Sequence, residues 1–298
     1  MKTVSLVLGS GGARGLAHIG IIHWLEENGF KIKSIAGCSI GALVGGIYAA
    51  GKLDECEQWV RSITKIDMVT LLDLSWEKSG LVRGDKLINT LIGLVGEQLI
   101  EDLPISYTAV ATDVKGQKEI WIKSGSLFDA IRASISIPLL FTPFRTKGVD
   151  LVDGGVLNPV PIAPTFGDET DMTIAVNLNG PPESPVRPSP ASAAPVCASS
   201  PFHERINRFI SRLRQSAATG YRRDWGAYDI AIQSFEAMQS TIARQKLAAY
   251  PPDTVIEIAR NACQILDFDR ASEMIELGHR KAQEGLSGAA LQKQRDGC

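Results

Sequence analysis

The run Val4-Ser5-Leu6-Val7-Leu8 stops at Gly9-Ser10-Gly11-Gly12-Ala13-Arg14-Gly15, after which Leu16, Ile19, Ile22 and Leu25 recur at helical spacing up to Gly29. This unit constrains the fold more than any other feature of the chain. The short apolar run reads as a buried strand, and the spacing after it as a helix. The glycine-rich turn between them allows only some binding functions. A dinucleotide fingerprint would need its third glycine at position 14, where Arg14 stands. A P-loop would need a closing G-K-[ST], which the sequence lacks. A glycine-rich turn at a helix N-terminus does aim backbone N–H groups outward, and that suits an anion.

The same alternation continues downstream. Residues 32–36 read as a second strand, and Ile40 to Ala50 as an apolar helix ending at Gly51. Asp85 is placed to cap a helix carrying Leu87, Ile88, Leu91 and Leu94. Residues 105–112 and 118–123 read as a strand pair with Gly116 in the turn, and 149–152, 173–178 and 254–259 as further strands. Phe268 to Glu284 reads as a closing helix, with Asp267 or Asp269 as its cap. Strands alternating with helices predict an α/β fold with a mainly parallel sheet covered by helices.

Composition changes at Pro181. Residues 181–201 hold seven of the fifteen prolines, interleaved with Ser and Ala. Such a stretch cannot bury a core and reads as an exposed linker or lid. Beyond it, Ile206, Phe209, Ile210 and Leu213 mark one helical face. Six arginines against Glu204 and Asp224 give a net charge of +4 over residues 204–224. That face is either simply solvated or a contact for anionic lipid headgroups. The expected organisation is a core at 1–180, a flexible linker or lid at 181–203, and a mostly helical region at 204–298 with one late strand, packing on the core.

Two further motifs carry chemistry. Gly37-Cys38-Ser39-Ile40-Gly41 is a GxSxG where a strand should end and a helix begin, the context a nucleophile elbow needs. Its flanking glycines, Gly37 and Gly41, leave room for the turn. Asp153-Gly154-Gly155 follows the run Val149 to Val152 and places a carboxylate at a strand end. Strand C-termini in a parallel sheet gather at one edge, where ligands usually bind, so Asp153 is expected near Ser39. An Asp-Gly turn is also a common structural feature. The glycine loop, paired with a nucleophilic serine, would hold the oxyanion of acyl transfer.

In this order the three motifs resemble the patatin-like phospholipase family, whose marks are G-G-x-[RK]-G, G-x-S-x-G and D-G-[GA]. Ala133-Ser134-Ile135-Ser136-Ile137-Pro138 and the closing segment from Phe268 to Glu273 are also similar to family members. The resemblance covers roughly residues 3–180. It implies a three-layer α/β/α patatin-like fold and a serine acyl hydrolase with a Ser39–Asp153 dyad and no catalytic histidine. Ser39 would attack the ester carbonyl, and Asp153 would take its proton and return it to the leaving alcohol. Backbone amides of Gly11, Gly12 and Ala13 would form the oxyanion hole, with Arg14 positioning that loop or a headgroup phosphate. The implied substrate is a lipid or other fatty-acyl ester, with no metal or organic cofactor. An ordinary Asp, with a pKa near 3.9, is a poor base, and burial beside Leu151 and Val152 would raise it.

Composition bounds the alternatives. Lys+Arg 31 against Asp+Glu 33 gives a charge of −2, unlike a dedicated nucleic-acid binder. Five widely spaced cysteines without a CxxC make neither a disulfide framework nor a zinc site. The N-terminus lacks the apolar core of a signal peptide, and no stretch is long and apolar enough to span a bilayer. The expectation is a cytoplasmic protein, peripheral to a membrane at most. An α/β-hydrolase triad would order Ser39, Asp153 and then His203 or His279. His18 and His23 fall on the first helix and read as structural. Acyl-carrier transacylases place His where Cys38 stands. A regulatory or interaction protein on a retained hydrolase scaffold is the non-enzymatic alternative.

Overall fold

The computed structural model describes residues 1–71, 82–183 and 227–295. The chain divides into two compact units, one of Met1–Glu183 with Ala237–Cys298, the other Ser184–Glu236. The basic stretch at 204–224, His203 and the proline-rich segment from residue 184 onward lie outside the described residues.

The described residues form an eight-stranded mixed sheet with helices on both sides. Its centre is parallel: β1 (Lys2–Leu8) lies between β2 (Phe30–Cys38) and β7 (Met172–Gly180). Outside these run β3 (Ser106–Asp113), beside β2, and β8 (Thr254–Ala259), beside β7. The other strands are antiparallel. β4 (Lys118–Ile122) forms a hairpin with β3, closed where the Gly116 N–H donates to Asp113 Oδ1 at 2.8 Å. β6 (Val149–Asp153) also pairs with β3, and β5 (Phe144–Thr146) pairs with β6. The expected mainly parallel sheet therefore carries an antiparallel flank.

Burial on both faces explains the uninterrupted apolar runs, because parallel strands covered by helices have no solvent side. Leu6, Leu8, Ile174 and Val176 point into the main core with α1 (Ala17–Glu27) and α2 (Ile40–Ala49). Val7 and Ala175, one residue out of phase, face the other way and pack with Val160, Ile162 and Ala243. Ala243 belongs to α7 (Ala227–Ala249), whose residues Ala243 and Leu247 cover the second face. The first face is completed by α3 (Leu53–Ser62), α5 (Asp85–Val95), α6 (Leu127–Ser134) and α8 (Ala271–Arg295). A short helix, α4 (Lys65–Leu71), follows α3.

Two helix starts differ from the sequence reading. Gly84, in a left-handed conformation at φ 77°, precedes α5, so Asp85 is the first helical residue rather than the cap. Asp267 Oδ2 accepts from the Gln264 N–H, and a 3-10 turn, Phe268–Arg270, intervenes before α8 begins at Ala271. α8 runs to Arg295, well past Glu284.

Candidate active site

The sheet itself brings Ser39 and Asp153 together. β4 occupies one edge of β3 over residues 109–113, so β6, which pairs with residues 111–113, must lie on the edge that β2 also uses. β2 runs parallel to β3 and stops with Cys38 beside Val110. β6 runs antiparallel and stops with Asp153 beside Ala111. Two strand ends thus converge head-on against neighbouring residues of one strand. Parallel strand ends gathering at one edge would also bring them near each other. The cause is instead an antiparallel strand meeting a parallel one.

Ser39 follows β2 with φ 57° and ψ −125°. A non-glycine residue at positive φ stores strain of about 1–3 kcal/mol, which must be offset elsewhere. The turn is possible only because its flanks lack side chains. A Cβ on Gly41 would stand 2.1 Å from the Leu8 carbonyl oxygen, and one on Gly37 would stand 2.5 Å from that of Gly41. The Ser39 N–H donates to Ser134 Oγ at 2.9 Å, and that hydroxyl donates onward to the Val110 carbonyl at 2.6 Å. Two residues on, the Ser136 carbonyl accepts the Asp153 N–H at 2.9 Å. The segment at the end of α6 therefore holds the backbones of both residues, which gives the Ala133–Pro138 motif a physical purpose. Ser134→Ala removes the partner of the buried Ser39 N–H and a donor to the Val110 carbonyl. Chemical denaturation should show a loss of about 1–3 kcal/mol, with lower kcat in the folded fraction.

Asp153 is fully buried. Its Oδ1 accepts from the Gly155 N–H at 2.7 Å and from the Cys38 thiol at 3.9 Å. Burial pushes its pKa up to about 7, against the opposing pull of the Ser39 hydroxyl, the Gly155 N–H and Cys38. Oδ2 meets no donor at close hydrogen-bonding distance, so the contact with Ser39 is loose. Catalytic pairs commonly close up only around substrate.

The glycine loop is fixed from several sides. Gly9 and Ser10 donate their N–H groups to the Val176 and Pro159 carbonyls at 3.1 and 2.8 Å. Ala13 donates to the Ile265 carbonyl at 2.8 Å. The Ala13 amide, expected among the oxyanion donors, is therefore already engaged. Arg14 is 2% exposed, and its guanidinium donates to the Arg260 carbonyl at 2.6 Å. That fits bracing of the loop from the strand β8 side. Its burial does not fit contact with a headgroup phosphate.

None of the described histidines joins this group. His18 is fully buried, and its Nε2 lies 2.9 Å from the Gly9 carbonyl, which requires the proton on that nitrogen. Burial lowers its pKa to about 4 and keeps it neutral. His23 pairs with Glu57 and His279 with Glu27. Ser39 instead opens onto an apolar pocket lined by Leu16, Ile19, Leu43, Val60, Phe141 and Phe268, among others. Among the described residues no cluster of His, Cys, Asp or Glu could hold a metal ion. No helix there is long and apolar enough to cross a membrane. Gln239 on α7 belongs to no motif, yet its Nε2 donates to Ser10 Oγ at 3.2 Å.

The described residues combine a mixed sheet covered by helices on both sides with a serine in a strained strand-to-helix turn and a buried carboxyl beside it. The profile of the patatin-like phospholipase family matches residues 6–166. The chain is 38% identical to a Mycobacterium tuberculosis protein described as an NTE family protein, over 95% of this chain and 91% of the other. It is 33% identical to human patatin-like phospholipase domain-containing protein 6, over 59% of this chain and 13% of that much longer one. Among solved structures it is similar to VipD from Legionella pneumophila, with a TM-score of 0.42 and 14% identity, over 93% of this chain and 67% of the other. The chain belongs to the patatin-like phospholipase family, and membership implies a lipid ester hydrolase.

Proposed function

We propose that this protein hydrolyses fatty-acyl carboxylic esters of lipids through a Ser39–Asp153 pair. The observation that carries the reading is the meeting of three features: a strained serine, a fully buried carboxyl raised to about 7, and an apolar pocket opening at that serine. A base works best with a pKa near the working pH, and burial brings Asp153 there. The Ser39 hydroxyl attacks the ester carbonyl as its proton passes to Asp153. The developing oxyanion is held by the Gly11 and Gly12 amides. Asp153 returns the proton to the leaving alcohol, and water then releases the acyl group by the same steps in reverse order. The apolar pocket suits an acyl chain.

An ester and phospholipid panel, assayed with the wild type, tests the substrate class. Hydrolysis of fatty-acyl esters supports it, and a folded protein inert to every ester refutes it. The histidine-free mechanism has its own test. His279→Ala removes a half-exposed partner of Glu27 and should retain most of the wild-type kcat/KM. Loss of activity in the folded variant would restore the triad alternative.

A further inference from the structure

Arg132, on α6, is 6% exposed, although a guanidinium is seldom buried without reason. Its donors reach three separate stretches of chain. Nη1 donates to Ser136 Oγ at 2.6 Å. Nη2 donates to the Arg83 carbonyl, to the Thr142 carbonyl at 3.1 Å and to Thr142 Oγ1 at 3.2 Å. The guanidinium carbon lies 5.7 Å from the centroid of the Phe141 ring, within range of a cation–π contact.

Two of those stretches also pair with each other. The Val82 N–H donates to the Leu140 carbonyl at 2.8 Å, and the Thr142 N–H donates to the Val82 carbonyl at 2.9 Å. Gly84 lets them close. A Cβ there would stand 3.1 Å from the Phe141 ring and 3.2 Å from Arg132 Nε. These stretches carry part of the apolar pocket: Ile137, Leu140 and Phe141 line it, and so does Leu87, three residues beyond Gly84 on α5. Arg132 does not line the pocket, so it acts there only through the segments it holds.

We propose that Arg132 is a positioning residue for acyl-chain specificity, whose guanidinium clamps residues 82–84 to residues 140–142 and so holds the Leu140–Phe141 wall against the chain. The proposal rests on the reading of this pocket as the acyl site and adds the residue that keeps it in shape. A planar fork suits this role, because it serves several acceptors at fixed angles, which a lysine ammonium cannot. The proposed catalytic pair does not depend on the clamp. The Ser136 hydroxyl also donates to the Arg132 carbonyl at 2.8 Å, and it is the Ser136 carbonyl that accepts the Asp153 N–H. Removing the guanidinium leaves both bonds. Burying one methylene against a firm wall is worth about fourfold in binding. A wall that gives way loses part of that at every added carbon, so the effect grows with chain length and spares an acetyl group.

The test compares kcat/KM over a series of p-nitrophenyl esters from acetate to octanoate, measured with the full chain. Arg132→Met keeps the aliphatic stem and removes every donor. Its kcat/KM should stay within about threefold of wild type on the acetate and fall about 30-fold on the octanoate, through KM rather than kcat. Arg132→Lys keeps the charge and some of the donors and should lie between. Phe141→Ala should flatten the series by itself, and adding Arg132→Met to it should flatten it no further. The same loss at every chain length would mean a general structural effect and overturns the proposal, as does an unchanged series. If Arg132→Met does not fold, Thr142→Val decides, since it keeps the shape and removes one acceptor. Its octanoate-to-acetate ratio should fall about threefold, and an unmoved ratio overturns the clamp equally. Hydrolysis surviving in Ser39→Ala refutes the underlying reading of the site and this proposal with it. Hydrolysis lost in Ser39→Ala, with a uniform or absent change in the Arg132 variants, removes the clamp alone.

Discussion

Asp153→Asn should lose ester hydrolysis by about 10⁴-fold and, at pH 8, unfold at higher denaturant than the wild type. Both effects follow from burial. Desolvation raises this carboxyl from its ordinary 3.8 to about 7 in the folded protein. Between about pH 4 and 7 the folded state therefore keeps a proton that the unfolded state has released. Stability present below pH 4 is lost as pH rises through that window, and above pH 7 the full cost remains. The size of that cost is about 4 kcal/mol. Asparagine has the same shape and no charge, so the variant avoids it. Its oxygen still accepts from the Gly155 N–H, but it cannot take a proton from Ser39. The wild-type kcat/KM should rise with pH through an apparent value near 7. Denaturant titrations at pH 5 and pH 8 check the stability half: wild type should weaken between them and Asp153→Asn should not. A variant less stable than wild type at pH 8 would contradict this electrostatic account of the site.

Ser39→Ala is the second large effect. Ser39 lines the apolar pocket and its hydroxyl is the proposed nucleophile, so its removal should lower kcat by about 10⁴–10⁶-fold. The fold should barely register the change. Alanine sits at the same positive φ, the N–H bond to Ser134 is untouched, and the side chain removed is small and lies at the pocket wall. Stability should change by less than about 1 kcal/mol. Circular dichroism and a melting curve, read beside the ester assay, separate loss of chemistry from loss of fold.

Much of this was legible in the sequence because it is local. The runs at 4–8, 149–152 and 254–259 became β1, β6 and β8 with few changes at their ends. β1 is buried on both faces from Val4 to Leu8, whereas β6 and β8 each keep a cluster of buried apolar residues beside one more exposed acidic side chain, Asp150 and Glu257. Gly37 is visible for a similar reason, since the backbone that forbids a side chain there, at Gly41 and Ala42, belongs to the same strand–turn–helix unit, whereas Gly41 is held bare by the Leu8 carbonyl of the neighbouring strand β1. What the sequence could not show depends on long-range pairing. Asp153 was expected near Ser39 for the wrong topological reason, since nothing local says that β6 runs antiparallel along the edge of β3. The hydrogen bond that engages the Ala13 amide comes from Ile265, at the far end of the chain. Gln239 carries no motif at all. Its part in the site appears only when α7 lies across the second face of the sheet and meets Gly155.

The central claim is that Ser39 is the nucleophile of a pair that uses no histidine. Treating the folded protein with a fluorophosphonate at pH 8 and mapping the adduct by mass spectrometry tests it most directly. The account predicts a single adduct on the peptide holding Ser39, lost in Ser39→Ala, strongly slowed in Asp153→Asn and unaffected by His279→Ala. An adduct on another residue, or labelling that disappears with His279→Ala in folded protein, would contradict it.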